Sequence, residues 1–341
     1  MLSRIAENIY WMARYLERAE STARLVKAAN RLFLDMPKHI ISLSGGWEQL
    51  PIITGSEEVF QKQNKQADRV SVLSFLLDDH DNPGSIRASL AAAKINLRIT
   101  RGVFPSRIWQ YLSHMSAQME NPDPKDDLVS RFDAVIQQCE KITGLLMGSM
   151  SKDVALDFFQ LGRNLEQADM LTRILDVRGV QLMRTSGDAL LSSFENSQWR
   201  MVLTAVNGLQ MYRQSVSPRV NAEPTLEFLL RHNRFPRSVR YCLLNMDSCL
   251  VDLARSASVR QHIRQLEEKL FAVDYSELVA DSLHNYLDHL QKELAKLHNT
   301  IHTTYFDIAV QLPSQQQTQT SFRMNHKQNP TTTMTNQFSI A

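Results

Sequence analysis

Two stretches of this chain carry acids and arginines at spacings that could build a charged site. The first runs Ala13-Arg14-Tyr15-Leu16-Glu17-Arg18-Ala19-Glu20 to Arg24, and the second, 149 residues later, runs Gly162-Arg163-Asn164-Leu165-Glu166-Gln167-Ala168-Asp169 to Arg173. At about 100° per residue, the angle of a 3.6-residue turn, Leu16, Ala19 and Ala23 share one apolar stripe. Glu17, Glu20 and Arg24 occupy the adjoining flank with the small Ala13, and Arg14 lies within reach of Glu17 three positions on. Gly162, Arg163, Glu166, Asp169 and Arg173 repeat the pattern. A carboxylate beside a core is costly unless paired. One reading is therefore structural: Arg14 and Arg24, or Arg163 and Arg173, hold the intervening acids ionised. The other is functional: if the flanks meet about a pseudo-twofold axis, four carboxylates and up to four guanidinium groups surround one polar cleft able to bind a charged ligand or partner.

Other chemistry finds less support. A carboxylate-bridged metal pair in a bundle wants Glu-x-x-His on facing helices, and no histidine follows either motif at that spacing, so no metal is expected. His298 and His302 stand four apart, a chelating distance, but lack an acid in the same turn and are expected to be exposed or capping groups. There is no Gly-x-Ser-x-Gly elbow, and Ser85 and Ser238, each just inside a helix start, are expected to satisfy free backbone amides there. Arg87 and Arg240, one turn deeper, are secondary candidates for a phosphate or carboxylate. Without a phosphate-cradling glycine loop, no nucleotide or other cofactor is expected.

The elements that must position these residues are helices. Apolar residues recur at helical spacing, as in Ile5, Ile9, Met12, Leu16, Ala19, Ala23 and Val26, whereas alternating strand patterns are nearly absent. The chain is predicted to be all-α, a multi-helix bundle. A second repeated block sets its organisation: Leu73, Phe75, Leu76, Leu77, Pro83, Ser85, Arg87 and Leu90 align with Leu226, Phe228, Leu229, Leu230, Pro236, Ser238, Arg240 and Leu243, 153 residues on. Trp47 falls opposite Trp199, both expected as core anchors. Two duplicated halves are thus predicted, about 1–148 and about 149–308, fused into one helical domain.

Helices are predicted from Pro83, with Asn82 as cap, to about Thr100, near 105–118, 125–148, 199–215 and 222–232, from about 237, and near 258–271 and 275–308. Loops are placed around Gly45-Gly46 and Asn121-Pro122-Asp123-Pro124. Residues 309–341 are polar, with runs such as Gln315-Gln316-Gln317, and are predicted to be a disordered tail.

The chain has 38 basic and 36 acidic residues. The tail adds Arg323 and Lys327 and no acid, so the body is balanced and no nucleic-acid-binding surface is implied. Cys139, Cys242 and Cys249 are too few and irregular for a disulfide framework. Met1-Leu2-Ser3-Arg4 meets a charge too soon for a signal peptide, and no membrane span follows, so a cytoplasmic protein is expected.

Arg14-Tyr15-Leu16-Glu17-Arg18-Ala19-Glu20, its echo through Asp169, and Phe235-Pro236-Arg237-Ser238-Val239-Arg240 together resemble the bacterial alpha-E domain family, over about residues 1–308. In that family the second copy more usually reads Leu-Glu-Arg-Ala-Asp, where Gln167 here replaces the arginine. The resemblance implies a cytoplasmic bacterial protein encoded beside, or fused to, a circularly permuted ATP-grasp enzyme, often with a transglutaminase-like peptidase, in a system that makes or modifies peptides through amide bonds. The expectation is an accessory protein that docks the ligase and binds an acidic or peptide substrate at the Arg/Glu cleft. Two alternatives stand beside it. One is an enzyme using Glu17 or Glu166 as general acid or base; the other is a motif that only staples the halves together.

Overall fold

A computed structural model describes residues 2–35, 37, 46–63, 66–123, 126–185, 189–278 and 282–307, without the side chains of 178–194. The polar segment 309–341, expected to be disordered, lies outside the described residues. Those that are described form helices and no strand: α1 (Ser3–Asp35), α2 (Gln49–Ile53), α3 (Glu57–Lys62), α4 (Arg69–Leu77), α5 (Ile86–Ile99), α6 (Ser106–Glu120), α7 (Leu128–Ser149), α8 (Val154–Thr185), α9 (Ala189–Ala205), α10 (Leu209–Ser215), α11 (Ala222–Arg231), α12 (Val239–Cys249), α13 (Ala257–Phe271), α14 (Tyr275–Glu277) and α15 (Leu283–Tyr305).

The two long helices α1 and α8, which carry the charged motifs, pack against each other at the centre. Each has its own flanking pair: α5 and α7 lie on α1, and α12 and α15 lie on α8. The apolar stripes read from the sequence are buried, with Ile9, Met12, Ala19 and Ala23 of α1 and Leu161, Ala168 and Leu175 of α8 fully shielded in one core. Trp199 is wholly buried, and Trp47 packs edge-on against Phe33 at the core margin.

The central crossing depends on a glycine. A Cβ built on Gly162 would stand 2.3 Å from the Tyr10 carbonyl oxygen, so only a residue without a side chain lets α8 approach α1 this closely.

Local signals set the flanking helices. Ser85 Oγ accepts from the Ala88 amide and Ser238 Oγ from the Tyr241 amide, the expected capping role. Ser85 rather than Asn82 therefore begins α5. Asn82 sits in the preceding turn, where its Nδ2 donates to the Phe75 carbonyl and its Oδ1 accepts from the Gly84 amide. The single helix expected over 199–215 is broken: Asn207 adopts φ 55°, a left-handed conformation that ends α9 and lets α10 start afresh at Leu209. The expected last helix is helical where it is described, as α14 and α15, and residues 279–281 between them lie outside the described residues.

Candidate functional site

Because α1 and α8 cross with their charged flanks facing, the acids are paired mainly between helices rather than within them. Arg14 Nε donates to Glu166 Oε2 at 2.7 Å and Arg18 Nε donates to Glu166 Oε1 at 2.6 Å. In return, Arg163 Nε donates to Glu17 Oε2 at 3.1 Å and Gln167 Nε2 donates to the same oxygen at 2.9 Å. Positions 14 and 18 thus serve Glu166 as positions 163 and 167 serve Glu17, the reciprocity that an isologous arrangement requires. Arg24 and Arg173 do bond within their own helices, to Glu20 at 2.9 Å and to Asp169 at 2.9 Å. All eight residues expected at the cleft lie along this crossing.

One residue of the cluster had no signal in either motif. Arg237 reaches in from the turn before α12, its Nη1 donating to Glu17 Oε1 at 2.7 Å and its Nη2 to Glu20 Oε1 at 2.6 Å. Ser21 Oγ completes the shell of Glu17 at 2.8 Å. The Glu17 side chain is 0 % exposed and that of Arg237 12 %, so this half of the cluster is sealed.

The other half is open. In the sequence repeat, Arg237 falls opposite Gly84, which has no side chain to offer. A cavity of about 200 Å³ remains there, lined among others by Arg18, Thr22, Gly84, Glu166, Asp169 and Arg173. Gly55, at φ +70°, lines it too, its Cα approaching so closely that an added Cβ would lie 3.2 Å from Arg173 Nη1.

Arg87 and Arg240 do not join the site. Arg87 Nη1 donates to His80 Nε2 at 2.6 Å, and Arg240 pairs with Glu267 at 2.9 Å while lying over the Phe271 ring. Each is consumed by its own neighbourhood, on helices that flank the crossing from outside. His298 departs from its expected exposed or capping role. It is half-buried, and its Nδ1 accepts from Tyr10 Oη at 2.8 Å and from Arg14 Nη1 at 3.2 Å, which ties α15 to the cluster. His302 remains on the surface, 3.8 Å from Glu7. No group of three or more His, Cys, Asp or Glu residues among those described is placed to hold a metal ion.

The electrostatics follow from this geometry. Burial alone would push the Glu166 carboxyl up, but Arg14 and Arg18 outweigh it and bring it down to about 2. Glu17 is lowered in the same way, burial being overcome by Arg237 and Arg163. Burial, with Arg14 beside it, lowers His298 to about 4, so the ring is neutral at pH 7. Burial also pushes Cys242 and Cys249 up to about 12, far from a reactive thiolate.

These shifts predict acid lability in two stages. A histidine lowered from 6.5 to about 4 binds fewer protons folded than unfolded between those values, so its contribution to stability is complete above pH 6.5 and is lost as pH falls toward 4. Glu166, lowered from 4.5 to about 2, contributes fully above pH 4.5 and loses its contribution as pH falls toward 2. Thermal melts across pH 7 to 3 are expected to show Tm falling from about pH 6.5, with His298→Gln flattening the curve between 6.5 and 4 only. A wild-type Tm constant down to pH 4.5 would contradict the buried, neutral His298.

Residues 1–306 match the Alpha-E family, described as a predicted alpha-helical domain with a conserved ER motif, and the chain belongs to that family. An uncharacterised protein of Mycobacterium bovis and two of Mycobacterium tuberculosis strains are each 24 % identical over 332 residues, covering 90 % of this chain and 36 % of theirs. The chain thus spans about a third of the length of these relatives. No solved structure matches it. No helix among the described residues is long and apolar enough to cross a membrane.

Proposed function

We propose that this protein is a non-catalytic binding module acting beside an ATP-grasp type ligase, in a system that forms or modifies peptide or amide bonds, and that the open half of its Arg/Glu cluster is the ligand or partner site. The observation that carries the reading is the inequality of the two halves. Arg237 fills one, while Gly84 leaves the other a cavity with guanidinium and carboxylate groups in its wall. A cluster serving only to staple two helices has no use for that cavity. The mycobacterial relatives, nearly three times as long as the stretch they share with this chain, support a module that works next to other units. A transglutaminase-like protein is a further candidate partner, and a cytoplasmic setting suits all of them.

The rival reading, Glu17 or Glu166 as general acid or base, sits poorly with the geometry. Both oxygens of each carboxylate are already bonded to guanidinium, amide or hydroxyl donors, and Glu166 at about 2 takes up no proton near neutrality.

The test uses Gly84→Arg, which copies the sealed half into the open one. The nearest atoms to an added Cβ at Gly84 are all side-chain ones, Asn82 Oδ1 at 3.2 Å, Ser56 Oγ at 3.7 Å and Ser56 Cβ at 3.9 Å, so the Asn82 amide must give by a few tenths of an ångström. Thermal-shift screening against charged metabolites is expected to find compounds that raise the Tm of the wild type but not of Gly84→Arg. Co-expression with a circularly permuted ATP-grasp protein from the same genome is expected to yield a complex that survives gel filtration. Identical responses of the two proteins to every compound, together with no complex, would refute the reading.

A further inference from the structure

The wall of the open cavity holds a specific set of unused hydrogen-bonding groups. Arg18 and Arg173 spend their Nε atoms on Glu166 and Asp169, and among the described residues the Nη groups of both have no hydrogen-bond partner. The Thr22 hydroxyl likewise has none, nor does Asp169 Oδ1, since Arg173 takes only Oδ2. Both Glu166 oxygens already carry a guanidinium partner, from Arg14 and Arg18. What remains is two forked cationic donors, a hydroxyl and one carboxylate oxygen in the lining of a cavity of about 200 Å³.

The sealed half differs at the matching positions, each time in the direction that closes a site. Counting 149 residues on, Gln167 stands for Arg18 and Leu171 for Thr22; counting 153, Arg237 stands for Gly84. The sealed half also shows what cation these acids accept: the Arg237 guanidinium bridges Glu17 Oε1 and Glu20 Oε1. Asp169 is the counterpart of Glu20 and receives no such cation.

We propose that the open cavity binds the zwitterionic head group of a free α-amino acid. The ligand carboxylate lies between the Arg18 and Arg173 guanidinium groups, planar forks that suit bidentate pairing. The ligand ammonium donates to Asp169 Oδ1, in the place that Arg237 takes in the sealed half. A bare anion leaves the Asp169 oxygen unsatisfied, and a bare cation leaves both guanidinium forks unsatisfied. The cavity has room for the head group and a short side chain. This assignment rests on reading the cavity as a ligand site, and it names the substrate class that such a module would present to a ligase.

Isothermal titration calorimetry of the full chain decides it, with the proteinogenic amino acids as probes and alaninamide, N-acetylalanine and inorganic phosphate as partial mimics. At least one amino acid is expected to bind at one site with Kd of about 1 mM or tighter, each mimic about tenfold more weakly or not at all. Gly84→Arg and Arg18→Gln, the latter a surface-reaching change that copies Gln167, are both expected to abolish binding while keeping the wild-type circular dichroism spectrum. Phosphate or N-acetylalanine binding as tightly as any amino acid, and lost in both variants, would overturn the amino acid while leaving the binding-module reading intact. Amino-acid binding unchanged in both variants, or no binding by any probe, would overturn the assignment of this cavity altogether.

Discussion

Glu17→Ala is expected to destabilise the protein by about 3–5 kcal/mol, the cost of removing one partner from a buried, hydrogen-bonded ion cluster. The side chain is wholly shielded and receives donors from Ser21, Arg163, Gln167 and Arg237. Alanine would leave Arg237, 12 % exposed, with Glu20 and, at 3.4 Å, Ser21 Oγ as its remaining partners. For a domain of this size the loss corresponds to a fall in Tm on the order of 10 °C. The size of the effect comes from the unpaired cation rather than from the net value of the pair, so the double variant Glu17→Leu/Arg237→Met should recover much of it. Chemical denaturation of the three proteins measures this. A Glu17→Ala midpoint close to the wild type would mean that the cluster is solvated in solution and that Arg237 does not seal it.

Gly162→Ala should cost about 1–3 kcal/mol, the typical range for overpacking. In an ordinary helix interior the same change gains up to about 1 kcal/mol, because glycine is the poorer helix former. Here the sign reverses. The new Cβ would press to 2.3 Å from the Tyr10 carbonyl oxygen, and backbone cannot swing aside as a long side chain can. Relief requires α1 and α8 to separate, which also pulls the neighbouring Arg163 away from Glu17. Ala13→Gly is the control, since Ala13 is buried on the opposing helix at the matching position and a methyl there is already accommodated. A Gly162→Ala variant more stable than the wild type would show that the helices do not cross this tightly.

The helical class and the eight charged residues at the crossing could be read from the sequence because their information is local. Apolar spacing marks the buried stripe of α1 and α8, and the charges beside that stripe must lie at the interface edge. The pairing partners were less accessible. Within-helix spacing suggests Arg14 with Glu17, whereas the structure joins Arg14 to Glu166, because the close approach allowed by Gly162 brings the opposite helix nearer than the next turn. Arg237 lies 220 residues from Glu17 in sequence, and nothing local ties the two together. Besides its place in the Phe235–Arg240 block, its signal was the misfit within the repeat, an arginine opposite Gly84 between two shared residues, proline and serine. His298 was obscured for a related reason: four-residue spacing from His302 suggests shared exposure, but α15 presents one ring to Tyr10 and Arg14 and the other to the surface. The break after α9 had a local sign in Asn207-Gly208, outweighed there by apolar periodicity that continues across it.

The distance along the chain between Glu17 and its partners also shapes how the protein is made. Contacts spanning 146, 150 and 220 residues cannot form until the polypeptide has grown that far. At about 5–20 residues per second on the ribosome, roughly 10–45 s pass between the emergence of the first helix and that of Arg237. Glu20 has Arg24 on its own helix from the start, but Glu17 waits for Arg163 and then for Arg237. Long-range closure of this kind makes for slow folding. The arginine that shuts the cluster is thus among the last parts of it to arrive, a natural final latch.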